Sequence, residues 1–254
     1  MLVKGESVAG IATCIQIPEA KILFDCGVTK GLLESFADYS ILFLTHGHLD
    51  HTSGILHWIY GRAMRGANTS TIYVNPYLKP KLKSFIQANA FLQDESSPPS
   101  LKVETINKEH FVYIKKSENL TYQISAFDTD HTIPSQGYLL ESIFKNKEVT
   151  TTKKNVLFTG DTRPLNIPEP MIQKLPLLIH ECTYFEDVSL DKALKSGHTR
   201  LPELLKNIES WVEINPDIKI GLCHFSNRYG SRVQTLLNQA LSDKPHLLNK
   251  VYIL

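Results

Sequence analysis

The stretch ILFLTHGHLDH, residues 41–51, decides how this chain reads. Ile41 to Leu44 form a short apolar run of strand-favouring type. Directly behind it, His46, His48, Asp50 and His51 crowd into six positions. In extended backbone, side chains alternate with a period of two, so His46 and His48 point the same way. Asp50 and His51 then fall where the chain turns into a helical pattern. A loop of this kind can aim four metal-binding groups at one small volume. Imidazole and carboxylate suit zinc and similar divalent ions. A lone histidine would read as a surface residue; H-x-H-x-D-H straight after an apolar strand reads as a metal site.

Three further residues repeat the pattern. His131 follows SAFDTD, Asp161 ends NVLFTGD, and His224 ends IKIGLCH. Each stands at or just beyond the end of an apolar run, where side chains leave a rigid sheet and layered α/β folds build their sites. Together with the cluster they make seven nitrogen and oxygen donors. Seven is too many for one tetrahedral zinc and suits two metals sharing a bridge. Manganese, iron and cobalt suit the same donors.

The remaining pattern places this site in a fold. Apolar runs at 12–17, 21–27, 41–46, 71–75, 120–127, 155–161, 175–181, 218–224 and 251–254 read as strands. Helical spacing covers 51–66, with Ile55, Ile59 and Met64 on roughly one side, then 75–93, 200–214 and 231–243. Early antiparallel-looking strands followed by strands alternating with helices predict an α/β (α+β) arrangement of two sheets faced by helices. By composition, 94–100 and 142–155 look like linkers. Neither is long enough to divide the chain, so 1–254 reads as a single domain.

Bulk properties exclude little. Lysine plus arginine is 27 and aspartate plus glutamate 26, a formal net charge of +1, so a nucleic-acid substrate would have to be held by local patches. Cys14, Cys26, Cys182 and Cys223 lack C-x-x-C pairing and read as reduced core residues of a cytoplasmic protein. The first residues lack the apolar core of a signal peptide, and no stretch has the length of a membrane span.

THGHLDH resembles the H-x-H-x-D-H motif of the metallo-β-lactamase superfamily. The segments GIATCIQIP, DTDHTIPSQGY, FTGDTR, HECTYFED, GHTR and HFSNRY occur in the order found in the ribonuclease Z family, the transfer-RNA 3′-processing endonucleases, and look most like its short plant-type branch. The resemblance runs from about residue 8 to residue 230. It implies a four-layer αβ/βα sandwich with two zinc ions. On that pattern His46, His48 and His131 hold one zinc, Asp50, His51 and His224 hold the other, and Asp161 bridges them. It also implies a phosphodiesterase, an endoribonuclease acting on RNA such as precursor transfer RNA, often as a homodimer. Water activated between the metals and oriented by Asp50 attacks phosphorus, and His198 protonates the leaving oxygen with Glu181 as its partner. Read without the family, His198 opens SGHTRLPELL, where Thr199 can cap a helix.

The chain departs from that family in two places. Most members carry a long arm between the residues matching His131 and Asp161; here 29 residues separate them. The stretch 141–155, with Lys145, Lys147, Lys153 and Lys154, reads as a hairpin tip, and a flat basic face near Lys153 and Lys154 would favour RNA. The family's proline- and arginine-containing loop near the start also has no counterpart. A small-molecule ester, lactone or cyclic nucleotide therefore stands beside RNA as an alternative substrate. Arg163, Ser226, Arg228 and Tyr229 can contact phosphate or order the site. Gly160 reads as a position of close backbone approach. His180 reads as packing beside the site, and His57, His110 and His246 as surface residues.

Overall fold

The computed structural model describes residues 1–35, 38–67, 69–146 and 149–254. The first sheet opens with a hairpin of β1 (Lys4–Ala9) and β2 (Ala12–Ile17), continued antiparallel by β3 (Ile22–Phe24). It then grows in parallel through β4 (Ile41–Phe43), β5 (Ser70–Val74) and β6 (Leu101–Thr105). The second sheet contains β7 (Val112–Lys115), β8 (Leu120–Thr129), β9 (Ser135–Lys145) and β10 (Thr150–Phe158), all antiparallel neighbours. Two parallel strands, β11 (Leu177–Glu181) and β12 (Lys219–Cys223), extend it. The chain then crosses back: β13 (Phe225–Ser226) pairs with β1, and β14 (Val251–Ile253) ends beside β12.

Alternation explains the layering. Tyr122, Ile124 and Ala126 of β8 are buried, and the residues between them less so. They join Ile15, Ile22, Phe24 and Phe43 of the first sheet and Tyr138, Leu140, Val156 and Phe158 of the second in a core between the sheets. The ring of Phe24 stacks on Tyr138 and Phe158, with centroids 5.6 Å apart in each case.

Helices cover the outer faces. α1 (Lys30–Ser35), α2 (Leu49–Thr52), α3 (Ile55–Met64) and α4 (Leu78–Leu92) belong to the first half, and Leu32, Trp58, Ile59 and Ile86 pack on Leu23, Leu42 and Ile72. α5 (Glu169–Ile172), α6 (Leu190–Ser196), α7 (Leu201–Ile214) and α8 (Val233–Ala240) follow in the second half. α7 buries Leu201, Leu204, Leu205, Ile208 and Trp211, the spacing of one helical face, each worth about 1.5–3 kcal/mol of burial. The result is the αβ/βα sandwich expected from the sequence.

Three local expectations fail. Met64 is 83% exposed, because it lies nine residues from Ile55 and so about half a turn out of phase. Its expected place inside is taken by Arg62, whose guanidinium donates to Tyr39 O at 2.7 Å and Ser70 Oγ at 2.9 Å. The linker-like stretch 142–155 is largely strand, since β9 and β10 pair from Tyr138–Phe158 to Lys145–Thr150. The hairpin reading holds there, and Lys147 lies outside the described residues. The lysine face also changes character. Lys154 donates its ammonium to Pro170 O, and to Gln173 O at 2.8 Å, so it is committed to the carbonyls around α5.

All four cysteines are buried and free. Among the described residues no helix is long and apolar enough to cross a membrane.

Candidate metal centre

The strand ends of both sheets converge at one edge of the sandwich. β3 delivers Asp25, β4 leads to His46 and His48, β8 to His131, β10 to Asp161, β11 ends on Glu181 and β12 leads to His224. α2 carries Asp50 and His51. Two of these residues sit in left-handed backbone, Asp25 at φ 57° and His224 at φ 62°. Such conformations cost of order 1–3 kcal/mol and persist where surrounding contacts enforce them.

The donors form two groups that meet at one carboxylate. His46 Nε2 lies 3.0 Å from His48 Nδ1, which lies 3.1 Å from His131 Nε2. Asp161 Oδ2 stands 3.6 Å from His46 Nε2 and 4.0 Å from His131 Nε2. In the second group His224 Nε2 is 3.3 Å from both His51 Nε2 and Asp50 Oδ2. The same Asp161 Oδ2 lies 3.3 Å from His51 Nε2 and from His224 Nε2.

For His46, His131, His224 and His51 the partner of the outer Nδ1 places a proton there and turns Nε2 toward the centre. Thr45 Oγ1 donates its proton to the Asp25 carboxylate (3.0 and 2.9 Å), so at 2.9 Å it accepts from His46 Nδ1. His131 Nδ1 donates to Gly197 O at 2.8 Å. Thr183 Oγ1 donates to Glu181 at 2.9 Å and so accepts from His224 Nδ1 at 3.0 Å. His51 Nδ1 donates to Asp25 at 2.7 Å. With the outer nitrogens protonated and the rings neutral, lone pairs of four inner nitrogens face one another and two carboxylates. Such a cluster is repulsive unless positive charge sits inside it.

A divalent ion fits that demand. Tetrahedral bonds of 2.0–2.1 Å set donor–donor edges of about 3.3 Å, and the observed separations bracket this value. The outer partners are those that orient imidazole ligands in metal sites. Electrostatics agree for three of the rings. Burial holds His46, His48 and His131 below the ordinary histidine range, which keeps their lone pairs free. Burial pulls His51 the same way, but the Asp161 and Asp25 carboxylates outweigh it and push the ring well above that range. Burial opposes ionisation of Asp161, yet His224 and His51 hold it well below the usual carboxylate range. Asp50 is held low against its burial, chiefly by His224 and His51, and Gly10 N–H donates to it at 2.7 Å.

Beside this cluster stands His198, with Nδ1 3.2 Å from Glu181 Oε1 and 3.9 Å from Asp161 Oδ2. Glu181 is almost wholly buried and accepts from the amides of Thr162, Thr183 and Thr199. Burial would lower His198, but the Glu181 carboxylate overrides it and raises the ring. Thr199 does not cap α7; its hydroxyl donates to Thr162 O at 2.8 Å, and Arg200 occupies the cap position.

The other candidates divide. Arg163 donates to Leu194 O at 2.7 Å, Asp130 Oδ1 at 2.6 Å and His131 O at 3.3 Å, which ties α6 to the His131 loop. Tyr229 donates to Asp187 at 2.5 Å and accepts from Phe185 N–H at 3.1 Å, so its hydroxyl is spent on structure. Arg228 stacks over Tyr184 at 5.6 Å, and Tyr184 meets His198 edge-on at 6.1 Å. Ser226 ends β13. Gly160, at φ 61°, makes its close approach to Thr45, where a Cβ would come within 2.6 Å. His180 packs against Trp211, and His57, His110 and His246 are exposed.

A family model described as a beta-lactamase superfamily domain matches residues 20–220. The chain belongs to that superfamily. Among relatives within it, tRNase Z TRZ2, a chloroplastic protein of Arabidopsis thaliana, is 28% identical, over 89% of this chain and 68% of its own length. tRNase Z TRZ1 of the same plant is 27% identical, over 89% of this chain and 86% of its own. The crystal structure of the short form of human tRNase Z superposes with a TM-score of 0.65 at 21% identity, covering 89% of this chain and 93% of that one. Superfamily membership and the clustered histidines and aspartates imply use of a divalent metal.

Sequence reasoning passed over Asp25, Thr45, Thr183 and Gly197. Asp25 ends the apolar run KILFD as Asp161 ends NVLFTGD, so the rule that found one would have found the other.

Proposed function

We propose that this chain is a metal-dependent phosphodiesterase, an endoribonuclease of the ribonuclease Z type that uses two zinc ions. The observation that carries this reading is the pair of donor groups sharing Asp161 with the Glu181–His198 pair against them. His46, His48 and His131 would hold one ion, Asp50, His51 and His224 the other, and Asp161 both. The ions, when bound, supply Lewis acidity toward phosphate oxygens and make water nucleophilic near neutral pH.

The chain's own residues supply orientation and protons. Asp50, held by the Gly10 amide, keeps a carboxylate oxygen at the centre to orient the attacking water. His198 has Nδ1 engaged by Glu181, and its Nε2 is free to carry a proton to the departing 3′-oxygen. Water adds its oxygen to phosphorus, the P–O3′ bond breaks, and the fragments end in a 3′-hydroxyl and a 5′-phosphate. Glu181 keeps the imidazole charged and oriented, as a buried carboxylate beside a histidine does.

RNA, with precursor transfer RNA as the first candidate, is the proposed partner, and the setting cytoplasmic. Phe85 and Leu92 of α4, seven residues apart and both exposed, support a homodimer. The deciding experiment is incubation of the zinc-loaded chain with a precursor transfer RNA and mapping of both fragment ends. A 3′-hydroxyl at the trailer junction is expected; an uncut precursor sinks the endoribonuclease reading. One observation favours a second reading. Strands β9 and β10 occupy the space between His131 and Asp161 in sequence, where an RNA-gripping arm would be inserted. Hydrolysis of a cyclic nucleotide or ester with RNA left intact would decide for that reading.

A further inference from the structure

With a net charge of +1, the chain has no global attraction for a polyanion, so RNA must be gripped locally. One feature suited to this stands at the start of α4. Tyr77 is 53% exposed, between the buried Asn75 two residues before it and the half-buried Leu78. Lys81, one turn further on, holds its ammonium 3.7 Å from the centroid of the Tyr77 ring. Lys79 pairs with Glu104 at 3.3 Å, whereas no carboxylate among the described residues pairs with Lys81. One face of the ring thus carries a cation, and the side chain is half exposed.

This pair is tied rigidly to the metal-binding loops. Asn75 accepts the Leu78 amide at 2.8 Å and donates to Pro134 O at 3.2 Å, in the loop that follows His131. Leu78 packs on Gly47, between His46 and His48, so closely that a Cβ there would come within 3.0 Å of it. His131 stands between His198 (centroids 5.1 Å apart) and His48 (4.9 Å). Through Leu78 on Gly47, α4 starts beside the loop that carries His46 and His48, and the ring of His131 links His48 to His198.

We propose that Tyr77 and Lys81 form a stacking platform for an unpaired nucleotide on the 3′ side of the scissile bond. The proposal rests on the endoribonuclease reading above. The leaving 3′-oxygen goes to His198, and the fragment that keeps the phosphate extends toward Tyr77. Its base stacks on the face of the ring away from Lys81, and its phosphate meets the Lys81 ammonium. Stacking of this kind accepts any base, so the platform selects single-stranded trailers rather than a trailer sequence.

The test compares kcat/KM for an RNA with an unpaired 3′ trailer against kcat/KM for bis(p-nitrophenyl) phosphate, using the metal-loaded chain. Tyr77→Ala and Tyr77→Leu lower that ratio about tenfold, the worth of one stacked base, while Tyr77→Phe keeps it. Lys81→Gln reduces the slope of log(kcat/KM) for RNA against log(salt) by about 0.7, the loss of one single-strand phosphate contact. A ratio unchanged in Tyr77→Ala, with RNA still cut, overturns the platform and leaves the endoribonuclease reading standing. A wild-type chain that hydrolyses the small diester and cuts no RNA removes both.

Discussion

The carbonyl of Gly197 accepts a hydrogen bond from Nδ1 of His131 at 2.8 Å, across 66 residues of chain. The same glycine ends α6 in left-handed backbone, φ 82°, and its successor is His198. One residue thus fixes the tautomer of a candidate ligand and the position of the candidate proton donor. A Cβ on Gly197 would come within 2.6 Å of His131 Nδ1. Gly197→Ala is expected to weaken metal binding about 10–100-fold, the usual cost of disturbing an outer partner. Competition with a chromophoric chelator measures it, and an unaltered dissociation constant would count against this coupling.

Asp25 makes the corresponding contact on the other side of the centre. It accepts from His51 Nδ1 and from both the hydroxyl and the amide of Thr45. Asp25→Asn replaces one carboxylate oxygen with an NH2 donor facing groups that also donate. Metal affinity should fall about 10–100-fold here as well. Zinc content after dialysis against a weak chelator is the readout; full retention would show that Asp25 merely packs.

Asp161 is the one carboxylate common to both donor groups. The wild-type chain is expected to carry two ions by elemental analysis, and Asp161→Ala fewer than one. A variant that still retained both would exclude the bridging role.

His198 and the metal donors should separate experimentally. His198→Ala is expected to lower kcat about 10²–10⁴-fold, the range for a general acid, with metal content held at the wild-type level. Loss of metal in step with activity would instead make His198 a ligand, as its closeness to Asp161 and His224 permits.

Tyr229 offers a prediction about stability alone. Burial and the neighbouring Asp187 push its hydroxyl up to about 12. A folded value above the ordinary one of about 10 means that the neutral hydroxyl stabilises the fold. That contribution is complete below pH 10 and disappears as pH rises through 12. Tyr229→Phe should therefore unfold about 1–2 kcal/mol more easily at pH 8, the cost of the lost hydrogen bonds, with the gap to wild type closing above pH 10. Urea denaturation across that range follows it; a constant gap would disprove the assignment.

Much of this molecule was legible in its residues. The order of apolar runs and amphipathic helices specified two sheets covered by helices, because burial periodicity is written locally. H-x-H-x-D-H and the polar residues at strand ends named the candidate donors for the same reason: each is announced by the run before it. Met64 misled because one apolar residue in a helix carries phase only through its neighbours, and Arg62, buried through hydrogen bonds, gave no hydrophobic signal.

What only the tertiary structure decided is which groups stand behind the donors and what surrounds them. Asp25 meets His51 across 26 positions, Thr183 meets His224 across 41, and Gly197 meets His131 across 66. No local period encodes such pairs; they exist because two sheets bring their strand ends to one edge. The sequence by itself determined a metal-dependent chemistry. The fold decided which nitrogen of each ring faces inward, that Lys154 is spent on carbonyls, and that Tyr77 stands exposed with Lys81 over its ring.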